Sequence, residues 1–278
     1  MGAIIWLASY PKSGNTWMRV FLHNLLRNPA KPIPINEIDR FTLGESQANW
    51  YYQFTSKKPA ELSLEELAAL RPKVHRAMTG AHPDSVFVKT HNYLGESCGT
   101  SLITMECTAG AIYIVRNPLD VTLSFANHFG VDIDQAIEAL GRDGGLTEAT
   151  DTNVIEFINS WSMHVKSWTQ ILHPRLAVVR YEDMLDRPLK AFGGVTRFLG
   201  LNPPKDRLKK AIKFASFKEL KAQEQREGFK ERSHKADSFF RVGRRDQWRE
   251  KLSEDQVRRI VERHREQMER FGYVPPGY

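Results

Sequence analysis

The chain has 278 residues, 41% hydrophobic and 26% charged, with 40 Lys and Arg against 33 Asp and Glu for a net charge of +7. That is an ordinary soluble globular composition with enough apolar content for a core, and its mild basicity fits an anionic ligand, a nucleic acid or an acidic surface without choosing among them. Two unclustered cysteines, Cys98 and Cys107, exclude a disulfide framework or a cysteine metal site, and the lack of a run of about 18 apolar residues or of a charged leader argues against a membrane span or signal peptide. The expected compartment is the cytoplasm.

Ala3 to Ala8 is a short Ile-rich apolar run, which predicts a buried strand of a parallel sheet. The polar stretch SYPKSGNTW follows, and then a helical stripe from Thr16 to Arg27. Residues 28 to 60 hold four prolines and the aromatic cluster Trp50, Tyr51, Tyr52 and Phe54, and read as irregular. Ser63 with Glu66 forms a capping box that opens a helix to Arg76. Val86 to Lys89 and Ala111 to Val115 are the next strands, and Pro118 opens a helix to about Phe129. Residues 141 to 152 read as a loop, Val154 to Leu172 as a long helix, Leu176 to Arg180 as a strand and Pro188 to Leu199 as a helix. Residues 223 to 238 are polar and basic and read as mobile, and Glu254 to Phe271 closes the chain as a charged helix. Alternating strands and helices without repeats or linkers predict one α/β domain, residues 1 to 278, with a central, mainly parallel sheet flanked by helices. Ligands of such sheets bind at the carboxyl ends of the strands.

Four stretches at those ends carry chemistry. Lys12, Ser13, Gly14, Asn15 and Thr16 have the parts of an anion-binding loop before a helix, but the lysine precedes the glycine, unlike the GxxxxGK[ST] loop of nucleotide triphosphatases. On its own this stretch reads equally as a polar turn. Lys89 and His91 alternate past a buried strand, where a histidine can serve as general base or simply cap the strand at the surface. Arg116 ends a strand eight residues before Ser124, a fork and a hydroxyl able to grip a phosphate or else a solvated strand end and a neutral helix residue. Arg241, Arg244, Arg245 and Arg249 surround Gly243 and Trp248, as in an anion nest, a nucleic-acid patch or a charged loop.

In this order the stretches resemble the soluble, cytosolic-type sulfotransferases that use 3'-phosphoadenosine 5'-phosphosulfate (PAPS), in a bacterial-like form. SYPKSGNTW resembles their P-loop-like 5'-phosphosulfate loop, VKTH the strand end with lysine and catalytic histidine, and RNPLDVTLSF the 3'-phosphate site. VVRYEDM resembles the strand end whose tyrosine lies near the adenosine, ASFKEL the adenine contact, and FRVGRRDQW the late phosphate loop. Asn15 replaces a common threonine, Val242 a usual lysine and Asp246 a frequent glycine, which puts the late phosphate grip in question. The short dimer motif and the N-terminal extension of many animal members are not matched, and the oligomeric state stays open.

The resemblance implies in-line transfer of a sulfuryl group to a hydroxyl or amine of a small-molecule acceptor, with PAPS as co-substrate, 3'-phosphoadenosine 5'-phosphate (PAP) as product and no metal. It implies that His91 takes the acceptor proton, Lys12 neutralises the leaving phosphate and Lys89 adds charge near the sulfonate. Lys12, Ser13, Gly14, Asn15 and Thr16 would hold the 5' end, and Arg116, Ser124, Arg241, Val242 and Gly243 the 3'-phosphate. Trp17 would stack on or wall the adenine, with Phe217 opposite and Tyr181 nearby, although a core aromatic is the rival reading of Trp17. The cluster at Trp50 to Phe54, with Tyr93, Phe125, Phe129 and residues 223 to 238, would line an acceptor pocket suited to an aromatic or apolar alcohol. The rivals are a P-loop nucleotide kinase or ATPase, which lacks its loop here, and a basic nucleic-acid-binding module. The C-terminal cations of the latter are interleaved with acids, so no nucleic acid and no membrane is the expected partner.

Overall fold

The structure, a computed structural model, describes residues 2–278. Its strands are β1 (Ala3–Ser9), β2 (Thr42–Gly44), β3 (Ser85–Thr90), β4 (Glu96–Ser97), β5 (Thr100–Ser101), β6 (Thr108–Val115) and β7 (Leu176–Arg180). Five of them form one sheet in the order β2-β3-β1-β6-β7, all pairs parallel, while β4 and β5 make a small antiparallel hairpin. The helices are α1 (Asn15–Arg27), α2 (Ala48–Tyr51), α3 (Leu64–Thr79), α4 (Pro118–Phe129), α5 (Ile133–Gly141) and α6 (Trp161–Thr169). They continue with α7 (Tyr181–Asp186), α8 (Pro188–Phe198), α9 (Lys205–Phe214), α10 (Phe217–Glu227), α11 (Trp248–Lys251) and α12 (Glu254–Phe271).

Alternation along β1 sends Ile4, Trp6 and Ala8 into one core and Leu7 into the other. The first core is closed by apolar residues of α3, α4, α5, α6 and α12, among them Val74, Leu119, Trp161 and Ile260. The second is closed by α1, α8, α9 and α10, through Phe21, Phe192, Ala211 and Leu220. A sheet covered on both faces explains why its central strands read as continuous apolar runs. Among the described residues no helix is long and apolar enough to cross a membrane.

The predicted helix over 154–172 forms only at Trp161–Thr169. Residues 154 and 156–159 give their backbone N–H groups to other segments instead: Val154 to Ser46 O, Glu156 to Thr147 Oγ1, Phe157 to Asn92 Oδ1, and Ile158 and Asn159 to Gly145 O. These tertiary bonds replace the helical ladder until Ser160 caps α6 through Met163 N. The irregular reading of 28–60 missed the short edge strand β2, and α5, α9 and α10 were not foreseen. Residues 223–227 complete α10, and the rest of the polar segment is pinned down. Phe229 and Ala236 are buried, and Arg19 Nη1 donates to both oxygens of Glu231 at 2.8 and 2.9 Å.

Candidate active site

The carboxyl ends of β1, β3, β6 and β7 place Lys12, His91 and Arg116 in three adjacent loops and Tyr181 at the start of α7. The turn from β1 into α1 needs two left-handed residues, Lys12 at φ 67° and Gly14 at φ 106°. A Cβ on Gly14 would stand 2.7 Å from Tyr181 Cδ2, so the glycine answers a close approach as well as its dihedral. Asn15 Nδ2 ties the turn down by donating to Leu7 O at 2.8 Å. No side chain caps α1. Ser13 Oγ and Asn15 Oδ1 are buried without a hydrogen-bond partner. An uncapped helix start beside the unpartnered Ser13 hydroxyl is a ready seat for an anion.

Lys12 Nζ lies 3.9 Å from the centroid of the Phe239 ring. Burial first, then Arg116 and Lys89, push its pKa down to about 7, against a smaller pull from Glu231 and Glu224. Lys89, half-buried near the end of β3, has no ion-pair partner among the described residues. His91 lies just past β3, and its Nδ1 is 2.7 Å from Ser9 O. A carbonyl oxygen only accepts, so Nδ1 carries the proton and Nε2 keeps its lone pair. Burial, with Lys89 as the next cause, holds His91 well below the ordinary histidine range, so the ring is a neutral base.

Arg116 bridges the first and third loops. Its Nη1 donates to Lys12 O at 2.9 Å, and its guanidinium lies over the Tyr181 ring at 4.3 Å. Its Nε is buried without a partner. Burial, followed by the charge of Arg116, lowers the pKa of Arg241. Ser124 is half-buried on α4, and Val242 is 40% exposed. Gly243 sits at φ 68°, and a Cβ there would stand 2.2 Å from Phe217 Cγ, so the late loop passes flush over the Phe217 ring.

Trp17 stands at the start of α1. Its ring packs edge-on against Tyr181 and Phe192, each at 5.6 Å, although its buried Nε1 lacks a partner. The aromatic cluster also divides. Tyr51 is buried in the core and donates to Glu45 Oε1 at 2.7 Å, while Tyr52 and Phe54 are exposed. The aromatics beside Lys12 are instead Phe239 and, 6.0 Å from it, His128, which meets Phe129 edge-on at 4.9 Å.

Sequence reasoning missed Asp120. Its Oδ2 accepts from Asp246 N at 2.8 Å and its Oδ1 from Trp248 N at 3.2 Å, so α4 anchors the late arginine loop. Asp246 lies at φ 61°, in the left-handed region that aspartate tolerates, which accounts for an aspartate at a position where glycine is frequent. The signal was in RNPLD, where an acid sits four residues past Arg116 on a buried helix face. Among the described residues no group of three or more His, Cys, Asp and Glu side chains could hold a metal.

Residues 4–272 match the sequence profile described as "Sulfotransferase domain". The rat protein Sulfotransferase 1A1 is 24% identical over 219 residues, 77% of this chain and 66% of the relative, so the match spans just under two thirds of that relative's length. Flavonol 3-sulfotransferase of Flaveria bidentis is 24% identical over 289 residues, 92% of this chain and 78% of the relative. A mouse sulfotransferase complexed with PAP has the same fold at a TM-score of 0.59 and 21% identity, covering 96% of this chain and 84% of that one. Retinol dehydratase in a complex with retinol and PAP gives a TM-score of 0.64 at 19% identity, over 95% and 81%.

Proposed function

Because the chain belongs to the sulfotransferase domain family and is thereby a sulfotransferase-domain enzyme, we propose that it moves the sulfuryl group of PAPS to a hydroxyl or amine of a small-molecule acceptor. The observation that carries this is convergence. Lys12, Lys89 and Arg116 stand at the carboxyl ends of the adjacent strands β1, β3 and β6, Arg116 Nη1 donates to Lys12 O at 2.9 Å, and Lys12 is lowered by Arg116 and Lys89 as Arg241 is by Arg116. Cations gathered in this way around an uncapped helix start suit a ligand bearing two anionic groups. The orphaned donors Ser13 Oγ, Trp17 Nε1 and Arg116 Nε fit the same guest.

PAPS would supply the activated sulfuryl group and the phosphate that leaves with it. Lys12, Ser13, Gly14, Asn15 and Thr16 hold the 5' end, with the Lys12 ammonium neutralising charge on the leaving oxygen. Lys89 adds positive charge at the sulfonate. Arg116, Ser124, Arg241, Val242 and Gly243 hold the 3'-phosphate, the last two through backbone. Phe217 and Tyr181 flank the adenine, and Trp17 walls it from behind Tyr181. His91 Nε2, its lone pair left free by the Nδ1 bond to Ser9 O, accepts the acceptor's proton. The acceptor side is walled by Phe239, His128 and Phe129, which favours an aromatic or apolar alcohol. The relatives named for a flavonol and crystallised with retinol are of the same kind.

Thermal stabilisation separates this reading from its rivals. PAP should raise the melting temperature more than ATP with Mg²⁺ or a single-stranded oligonucleotide. No shift with PAP and a clear one with either of the others would remove the sulfotransferase reading. A screen of phenols, alcohols, amines and sugars with PAPS then identifies the acceptor.

A further inference from the structure

His91 is fixed by its peptide as well as by its ring. Its backbone N–H donates to Glu156 Oε1 at 2.6 Å. Its carbonyl oxygen lies 3.0 Å from His164 Nε2. The carbonyl must accept, so His164 carries its proton on Nε2 and receives the Tyr113 hydroxyl on Nδ1 at 2.8 Å. Burial pushes the His164 pKa down to about 3, so the ring stays neutral at working pH.

The next residue is held from the same side. Asn92 O accepts from Trp168 Nε1 at 3.0 Å, and Asn92 Oδ1 from Phe157 N at 2.7 Å. Glu156, Phe157, His164 and Trp168 belong to the stretch that the sequence suggested was one helix. The broken ladder at 154–159 is what lets Glu156 reach the strand end. A carboxylate only 6% exposed, with no ion pair among the described residues, is costly to bury. Burial raises its pKa, and Lys89 is the first group to oppose the rise. Simple packing of this loop would call for neither a buried acid nor a buried imidazole. A base that has to meet an acceptor proton gives both a purpose, because small displacements of a catalytic group cost large factors in rate.

We propose that Glu156 and His164 are positioning residues that grip the two sides of the His91 peptide, keeping its ring on the Ser9 carbonyl and Nε2 free for the acceptor proton. The proposal rests on the reading of His91 as the base. The ring tautomer tests the grip without turnover. A long-range proton–nitrogen spectrum of protein labelled with 15N-histidine and saturated with PAP reads it, the His91 signal being assigned by its loss in His91→Gln.

The native chain should show an Nδ1–H ring at His91. Glu156→Leu and His164→Gln should give mixed tautomers, and kcat with PAPS and 2-naphthol should fall at least about tenfold, with KM for PAPS changed less than about twofold. Glu156→Gln keeps an acceptor for the His91 N–H and should restore the single tautomer and most of kcat, a rescue that also guards against misfolding of the leucine variant. A single Nδ1–H ring in both disruptive variants overturns the proposal. So does an unchanged kcat when His91→Ala is inactive. If His91→Ala itself keeps turnover, the base reading falls, and the tautomer alone then decides the grip.

Discussion

Raising the pH through neutrality should weaken PAP binding, because the phosphate loop's own lysine titrates there. Burial, followed by Arg116 and Lys89, brings Lys12 down to about 7. The free protein therefore sheds this ammonium as the pH rises past that value. A bound phosphate favours the charged form, so its pKa climbs on binding and the complex takes up a proton. At about pH 8 the free ammonium is roughly 10% populated and at about pH 9 roughly 1%, each unit costing about 1.4 kcal/mol. PAP affinity should accordingly fall about tenfold per unit above neutrality, until the pH reaches the raised pKa of the bound state. Phosphate monoesters protonate near about pH 6, so affinity should peak between about pH 6 and 7. Calorimetry at about pH 8 in two buffers of different ionisation heat should register uptake of about 0.9 proton. Lys12→Met should bind PAP more weakly at neutral pH and lose the alkaline limb. Flat affinity from about pH 7 to 9 without proton uptake, or an alkaline limb that survives in Lys12→Met, would refute the argument.

Three further outcomes follow from the same geometry. His91→Ala should lower turnover by more than about 100-fold while PAP affinity stays within about twofold, and, because burial holds His91 well below its ordinary range, native kcat should not decline as the pH falls through about 6.5; retained turnover in the variant removes the base role. Gly243→Ala must accept a left-handed φ of 68° and a Cβ 2.2 Å from Phe217 Cγ; the dihedral alone costs about 1–2 kcal/mol, so PAP affinity measured by calorimetry should drop at least about tenfold, and native affinity would show that the late loop does not grip the ligand. Arg71→Met leaves the Glu45 carboxylate without the cation of a fully buried pair, although Tyr51 and Asn92 still donate to it, and urea unfolding should show a loss of about 3–5 kcal/mol; Glu45→Gln with Arg71→Met should recover part of it.

The positions of the loops were legible because both determinants lie in local sequence. β1, β3, β6 and β7 are short apolar runs whose polar successors begin at Tyr10, His91, Arg116 and Tyr181. In a parallel sheet those junctions share one edge, so reading the strands places the loops. The start of α3 was legible for a similar reason, since Ser63 with Glu66 is a reciprocal cap written within four residues. Other features depend on partners distant in sequence. Trp17 reads either as an adenine wall or as a core aromatic until Phe192, distant in sequence, packs against it. Residues 223–238 look mobile by composition until Arg19 claims Glu231 and Glu224 accepts the N–H groups of Phe239 and Phe240.

The hidden half of the site has one physical origin. Helical periodicity from Val154 onward is genuine, but periodicity records only which side chains are apolar and says nothing of where backbone donors go. Here the N–H groups of residues 154 and 156–159 go to Ser46, Thr147, Asn92 and Gly145. The extended course that results carries Glu156 to the His91 N–H before α6 brings His164 to the His91 carbonyl. A straight helix from Val154 would put these two residues about 12 Å apart along its axis, at 1.5 Å per residue. It would also close its interior N–H groups within its own ladder and leave none for Asn92. The departure from helix is thus what lets a single segment hold both sides of one peptide.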